Sequence, residues 1–248
     1  MQKRKWNTLG FLVLVLVGSQ SAAAQTTPQE TSPGPWLTAK IYDSGFPFSR
    51  DSYNGISSAS DGKIYYVLSS QDIDVGAQIY AFDPATEKIT HLGDLTEICG
   101  EKGLKAIPQN KSHVRFWEAN GKLYFASHIG YYTIKNGMET MGVPPPGYKP
   151  YPGGHFLSYD LATGKFENLA IAPHGEGIIA MTMDPACGRL YGLTWPTGYF
   201  IYLDLRTKKI RDCSGPSSER KNCKTSLRRM RASCSCTTSL PRGTMRCK

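Results

Sequence analysis

Short runs of alternating apolar and polar residues recur along the chain between tight turns rich in Gly, Asp, Asn and Pro. Such runs, with β-branched and aromatic residues at the apolar positions, predict strands joined by hairpins. The order repeats: a strand, a turn with Gly62, Gly121 or Gly188, a strand opening GKIYY, GKLYF or GRLYG, and two further strands. Each series therefore predicts a unit of four antiparallel strands.

The turn between the last two strands has nearly the same sequence in all three units. It reads AFDPATEKITHL at 81–92, SYDLATGKFENL at 158–169 and YLDLRTKKIRDC at 202–213. The recurring aspartates are Asp83, Asp160 and Asp204. A carboxylate at the start of a turn can accept hydrogen bonds from the turn's own backbone, so we interpret these residues as structural.

Repeated four-stranded units of about 40–45 residues are typical of propeller blades. The prediction is an all-β fold, a β-propeller of four-stranded antiparallel blades at roughly 53–92, 113–169 and 177–211. Over residues 40–211 the chain resembles secreted bacterial β-propeller proteins of the YVTN/SMP-30/quinoprotein-like type, in which DGKLY and TGK blade motifs recur. A β-sandwich is the alternative fold, but it does not explain repeated phrases with the same internal order.

The propeller is expected to be incomplete, with about three blades within residues 36–212. Closed propellers typically have about four to eight blades. The stretch WLTAKIYDSG at 36–45 is predicted to supply one further strand. The sequence after residue 212 no longer resembles a blade, which suggests a chain that is truncated or frame-shifted at its C-terminal end.

Charge is concentrated at the two ends of the chain. The formal net charge is +9, yet residues 6–210 hold sixteen basic and eighteen acidic side chains. Residues 1–24 have a basic start, an apolar stretch and small residues at the end, the pattern of a signal peptide. Residues 25–35 are polar and Pro-rich and predict a flexible leader. We therefore expect a secreted or periplasmic protein with no membrane span after signal cleavage; a signal anchor is the alternative.

The tail at 213–248 contains five of the seven cysteines and almost no aliphatic or aromatic residues, so we predict disorder. Its Cys spacing offers no C-x₂-C pair for zinc, and its basic charge would suit a nucleic-acid or anionic surface. We favour a third interpretation, a non-native out-of-frame segment. On that basis the tail's charge does not indicate function, and no nucleic-acid partner is expected.

Four of the five histidines are predicted to share the loop-rich face, where strand 2–3 and inter-blade connections lie. They are His113, His128, His155 and His174. Glu176, Tyr131 and Trp195 are expected on the same face, and together these seven residues form the predicted ligand site. Loops on a rigid scaffold commonly carry function, and His suits metal binding or proton transfer. A divalent metal would be held by His113 and His128; the alternative is hydrogen-bonded structural histidines.

Two classes of function follow. The first is an exported β-propeller that binds a ligand or serves as a scaffold, with a small molecule or carbohydrate as the partner. The alternative is a carbohydrate-active lyase or hydrolase with a His-lined, metal-dependent site. No Ser-His-Asp arrangement, phosphate loop or H-E-x-x-H motif is present. In the Pro/Gly-rich loop at 141–156, Tyr148 and Tyr151 either stack on sugar rings or cap a blade's apolar edge.

Overall fold

The computed structural model describes residues 39–214. Contacts divide the chain into two units, Met1–Ile41 and Tyr42–Lys248. Of the first unit only residues 39–41 are described, and they form no helix or strand. The predicted signal peptide, the leader and the tail beyond residue 214 lie outside the described residues.

The described part of the second unit contains three four-stranded antiparallel sheets, and each runs in a meander as predicted. The first blade consists of β1 (Ile56–Ser58), β2 (Ile64–Leu68), β3 (Gln78–Asp83) and β4 (Lys88–Asp94). The second consists of β5 (Trp117–Ala119), β6 (Lys122–Ala126), β9 (His155–Asp160) and β10 (Phe166–Ile171), with a hairpin of β7 (Tyr132–Lys135) and β8 (Met138–Met141) inserted. The third consists of β11 (Gly177–Asp184), β12 (Arg189–Trp195), β13 (Phe200–Asp204) and β14 (Lys209–Asp212).

One hydrophobic core runs through all three sheets, because alternate side chains of each sheet point towards a neighbouring sheet. Tyr65 of the first blade lies 6.4 Å from Phe116 and 5.7 Å from Tyr159 of the second, measured between ring centroids. The Trp117 Nε1–H of the second blade donates to the Met181 carbonyl of the third at 3.3 Å. Sheets stacked face to face in chain order are the blade arrangement of a β-propeller, which confirms the predicted fold class.

The three copies of the repeated turn are built alike. The carboxylate of Asp83 accepts from the Ala85 amide at 2.9 Å. Asp160 accepts from the amides of Ala162 and Thr163, and Asp204 from those of Arg206 and Thr207. The structural interpretation of these aspartates is confirmed.

Two connections differ from the sequence-based prediction. The expected strand at 36–45 does not form over its described part, since residues 39–45 are irregular. The connection at 128–153 contains the β7–β8 hairpin, whose turn places Asn136 and Gly137 at positive φ. An Asn-Gly turn is the strongest short hairpin signal, and here it was missed.

Helices are short in the described part of the chain. Helix α1 spans Leu95–Ile98 and begins at Asp94, whose carboxylate accepts from the Thr96 amide at 2.7 Å. A 3₁₀ turn spans Pro173–Gly175. Among residues 39–214 no helix has the length and apolar character needed to cross a membrane.

Candidate functional site

A cavity of about 410 Å³ lies where the first strands of the three blades meet. The first blade contributes Tyr53, Asn54 and Ile56, the second His113, Val114 and Arg115, and the third Ile179, Ala180 and Met181. These residues belong to β1 and β11 or to the segments just before β1 and β5. In a propeller the first strands surround the central channel, so the cavity occupies the channel position.

Two of the predicted histidines meet at this cavity, with His113 on its wall and His128 behind His113. The His113 and His128 rings lie edge to face with centroids 4.5 Å apart. His113 also lies 4.4 Å from the ring of Tyr53, and His128 lies 5.8 Å from that of Trp195. Trp195 in turn contacts Tyr132 of the inserted hairpin at 5.5 Å. The structure therefore brings together three of the predicted residues, His113, His128 and Trp195, in one aromatic cluster.

A buried lysine completes the cluster. Lys111 and His128 are held side by side, because each backbone amide donates to the other's carbonyl, at 3.1 and 2.7 Å. The Lys111 Nζ atom lies 3.6 Å from the Asp51 carboxylate. It also lies 4.2 Å from the Tyr53 ring centroid and 5.1 Å from that of Tyr132. Aromatic faces and a carboxylate together compensate a cation that has lost its water.

Both imidazoles of the pair are neutral at neutral pH. Burial lowers the pKa of His113 to about 4, and the neighbouring Lys111 ammonium lowers it further. Burial lowers the pKa of His128 to about 2, with His113 and Lys111 acting in the same direction. The His113 Nε2 and His128 Nδ1 atoms are buried without a hydrogen bond. The Gly177 amide approaches His128 and partly opposes the shift of its pKa.

Gly177 is required by this packing. A Cβ at this position would lie 2.2 Å from the Nδ1 atom of His128, well inside van der Waals contact. The glycine at the start of β11 therefore lets the third blade approach the imidazole closely.

His155 lies in a separate buried network. Its Nε2 atom is 2.7 Å from the Glu101 carboxylate and its Nδ1 atom is 2.9 Å from the Asn168 side-chain oxygen. Glu101 also accepts from the Gln109 amide nitrogen at 2.9 Å, and the Tyr151 hydroxyl donates to the Gln109 oxygen at 2.6 Å. The network joins the segment after α1 to the second blade. Tyr151 is buried in it and caps the interior, whereas Tyr148 is half-buried and its hydroxyl donates to the Asp74 carboxylate.

His174 and Glu176 form hydrogen bonds with residues of the third blade. The His174 Nε2 atom lies 3.0 Å from the Asp212 carboxylate, and its ring packs on Tyr199 at 4.3 Å. The buried Glu176 carboxylate accepts from the Thr194 hydroxyl at 2.5 Å and from the Thr197 amide at 3.1 Å. Glu176 thus stabilises the turn after β12.

Tyr131 lies beside the cluster, on its outer side. With Trp195 it packs against a small apolar group formed by Ile107, Ile129 and Tyr151. Of the seven predicted residues, His113 alone lines the cavity and two lie behind it. Sequence reasoning missed Tyr53, Lys111 and Arg115. Lys111 occurs in the irregular segment PQNKSH, where no periodicity signals that a lysine is buried.

The donor set at the histidine pair does not fit a metal centre. Across residues 39–214 no three His, Cys, Asp or Glu side chains are grouped so that they could hold a metal ion. His113 and His128 supply two imidazoles, and the Lys111 ammonium beside them repels a cation.

No family model matches the sequence, and no curated protein matches it. The structure is similar to TolB from Acinetobacter baumannii, with a TM-score of 0.39 and 12% identity over 67% of this chain and 33% of that one. It is similar to a chain of a nidogen/laminin complex (TM-score 0.40, 14% identity, 69% of this chain and 48% of that one). A puromycin hydrolase gives a TM-score of 0.35 and 16% identity over 64% of this chain. This chain spans between a fifth and a half of these three structures.

Proposed function

We propose that the protein is an exported β-propeller of the YVTN/SMP-30/quinoprotein-like type that binds a small molecule or carbohydrate at the channel cavity. Export to the periplasm or the outside rests on the signal-peptide pattern of residues 1–24. The observation that carries the binding function is the cavity itself. It draws side chains from all three blades, as ligand sites at the junction of structural units commonly do.

The chemistry of the cavity wall suits a ring that carries hydroxyl groups. Tyr53 is 54% exposed and offers an aromatic face for stacking. Asn54 brings an amide that donates and accepts hydrogen bonds. Arg115 stacks on the Trp117 ring at 4.4 Å, which holds a guanidinium at the cavity edge where it can bind an acidic substituent. An acidic sugar meets all three requirements.

The neutral His113 supports ligand binding more directly than metal-dependent catalysis. A neutral imidazole at the cavity wall adds a flat, weakly polar surface beside the exposed Tyr53 ring. For the alternative of a metal-dependent lyase or hydrolase, residues 39–214 offer no group of three metal-binding side chains. We therefore propose a binding protein.

The test compares galacturonate with galactose, which differ in one carboxylate. We expect saturation-transfer NMR on the full chain to show contact with galacturonate and a weaker signal with galactose. Replacing Tyr53 with Ala or Arg115 with Ala should weaken the galacturonate signal at least several-fold.

His91→Ala is the matched control, because His91 lies on the outer strand β4, away from the cavity. It should leave the signal unchanged, whereas His113→Ala should reduce it. Absence of binding for both sugars, or equal loss in the His91 and His113 variants, would contradict the proposed function.

A further inference from the structure

A second cavity adjoins the channel cavity described above, which is called the first cavity from here on. The second cavity has a volume of about 590 Å³ and lies between β1, β5 and the turn after β11. Ile56 and Arg115 line both cavities, so the two meet at these residues. On the third blade the first cavity reaches Met181 and the second reaches Pro185, about 13 Å further along the chain at about 3.3 Å per residue. The two cavities together are longer than one pyranose ring.

The wall shared by the two cavities is held by hydrogen bonds between blades. The Phe116 amide, just before β5, donates to the Ser57 hydroxyl oxygen of β1 at 3.1 Å. The Ser60 amide, in the turn after β1, donates to the Glu118 carboxylate of β5 at 2.8 Å. The Trp117 side chain is tied to the third blade by its hydrogen bond to a carbonyl of β11. The wall is therefore formed before a ligand arrives, which lowers the cost of binding.

The two cavities differ in charge. Among the described residues, Arg115 lines the first cavity and no Asp or Glu does. The second cavity is lined by Glu118, whose two carboxylate oxygens accept from the amide and the hydroxyl of Ser60. A guanidinium binds the carboxylate of an acidic sugar, whereas a carboxylate repels it. The first cavity thus favours an acidic sugar and the second disfavours one.

The rest of the second cavity suits a neutral sugar. The Ser58 side chain is exposed there, and its hydroxyl can donate to and accept from a sugar hydroxyl. The Glu118 carboxylate can accept from another. The half-buried Trp117 ring and the exposed Pro185 supply apolar surface for the C–H groups of the ring.

We propose that the ligand is an oligosaccharide in which an acidic sugar is linked to a neutral one. The acidic unit lies in the first cavity, with its carboxylate on Arg115, and the neutral unit lies in the second. Glu118 is then a residue that determines specificity, because its charge excludes a second acidic unit, and a repulsive group of this kind is a common source of discrimination. The inference rests on the proposed function, since it extends the same site.

The test is isothermal titration calorimetry of the full chain with four sugars. Galacturonate fills the first cavity alone, and digalacturonate adds a second acidic unit. Galacturonosyl-rhamnose and rhamnosyl-galacturonate add a neutral unit on one side or the other of the acidic one. We expect one of the two mixed disaccharides to bind at least several-fold more tightly than galacturonate, and digalacturonate to gain nothing over galacturonate.

Two substitutions in the second cavity separate its contribution from that of the first. Glu118→Gln removes the repulsive charge and keeps an oxygen for Ser60, so digalacturonate should bind several-fold more tightly and galacturonate as before. Ser58→Trp fills the second cavity, so the mixed disaccharide should lose its advantage while galacturonate binding stays the same. Glu97→Gln is the matched control, because it removes one negative charge on α1, which packs beside the outer strands β4 and β10. It should change none of these affinities.

The outcomes distinguish this inference from the function on which it rests. If galacturonate binds and neither mixed disaccharide binds more tightly, the second cavity is not a subsite and the inference is overturned, while the proposed function stands. A digalacturonate affinity that Glu118→Gln leaves unchanged, or that Glu97→Gln raises equally, would also overturn it. If none of the four sugars binds, the proposed function fails and the inference fails with it.

Discussion

The histidine pair shows how burial decides the state of a residue. His113 and His128 are held neutral because water is excluded and a lysine ammonium is near, so their protonation is coupled to folding. The unfolded chain restores an ordinary histidine pKa of about 6.5. As the pH falls below that value the unfolded state binds protons and the folded state does not, so the free energy of unfolding decreases.

The first prediction at this scale concerns pH. Between about pH 7.5 and about pH 5.5 the free energy of unfolding should decrease by about 1 kcal/mol for each of the two histidines. His128→Gln should remove one of these contributions, so its loss of stability over the same range should be smaller. Urea unfolding at the two pH values measures the difference. An identical pH dependence in wild type and variant would contradict the buried neutral state, and His91→Gln is the control.

A second residue-scale prediction concerns the network around His155. His155→Ala would leave the Glu101 carboxylate buried without its imidazole partner, at a cost of about 3–5 kcal/mol in the free energy of unfolding. The double variant His155→Ala/Glu101→Gln should recover part of this loss, because the uncharged amide costs less to bury. Denaturant unfolding of both variants tests it, and a double variant no more stable than the single one would show that the charge is not the cause.

At the scale of elements, the repeated turn uses the same backbone conformation with three different residues. Glu87, Gly164 and Lys208 occupy the same place in the turn, and all three have positive φ, between 54° and 66°. A non-glycine residue in this left-handed region carries a cost of about 1 kcal/mol relative to Gly. The triplets TEK, TGK and TKK thus adopt one backbone conformation, which is strained at Glu87 and Lys208 but not at Gly164.

The matching prediction is a pair of opposite substitutions. Lys208→Gly should raise the free energy of unfolding by up to about 1 kcal/mol, and Gly164→Ala should lower it by about 1 kcal/mol. The space around Gly164 is open enough that the effect is conformational, since a Cβ there would meet only Tyr159 Oη at 3.6 Å. Thermal melts of both variants check the prediction, and shifts of the same sign would contradict it.

The blades could be predicted because their signals are local. The run of β-branched and aromatic residues at Ile64–Leu68 and the aspartate turns are signals in consecutive residues, and the blade strands occur where those signals predict. The Asn136–Gly137 hairpin had an equally local signal and was missed because the segment follows no blade phrase.

The site could be predicted only in part. The loop face and the two central histidines followed from the meander, because strand ends alternate between the two faces. The burial of Lys111 and the pairing of Glu101 with His155 depend on contacts between segments far apart in the chain. The periodicity of apolar and polar residues along the sequence does not indicate such contacts. Whether the predicted seven residues bind a ligand stays a prediction.

At the scale of the whole molecule, the same positions form both interfaces between successive blades. The first blade packs on the second, and the second on the third, through the alternate residues of their second and third strands. In the described part of the chain each sheet packs face to face on its neighbour in sequence, so stability is expected to be close to a sum over blades and the interfaces between them.

This equivalence has a consequence for how such chains grow. A blade that arises by tandem duplication inherits both packing faces, so it finds a matching surface on whichever blade precedes it. The number of blades in a lineage can then change by one at a time, because the surfaces through which blades pack on each other are already present. Leu193 and Phe200, which are exposed apolar residues of the third blade, are the residues on which an added blade would pack.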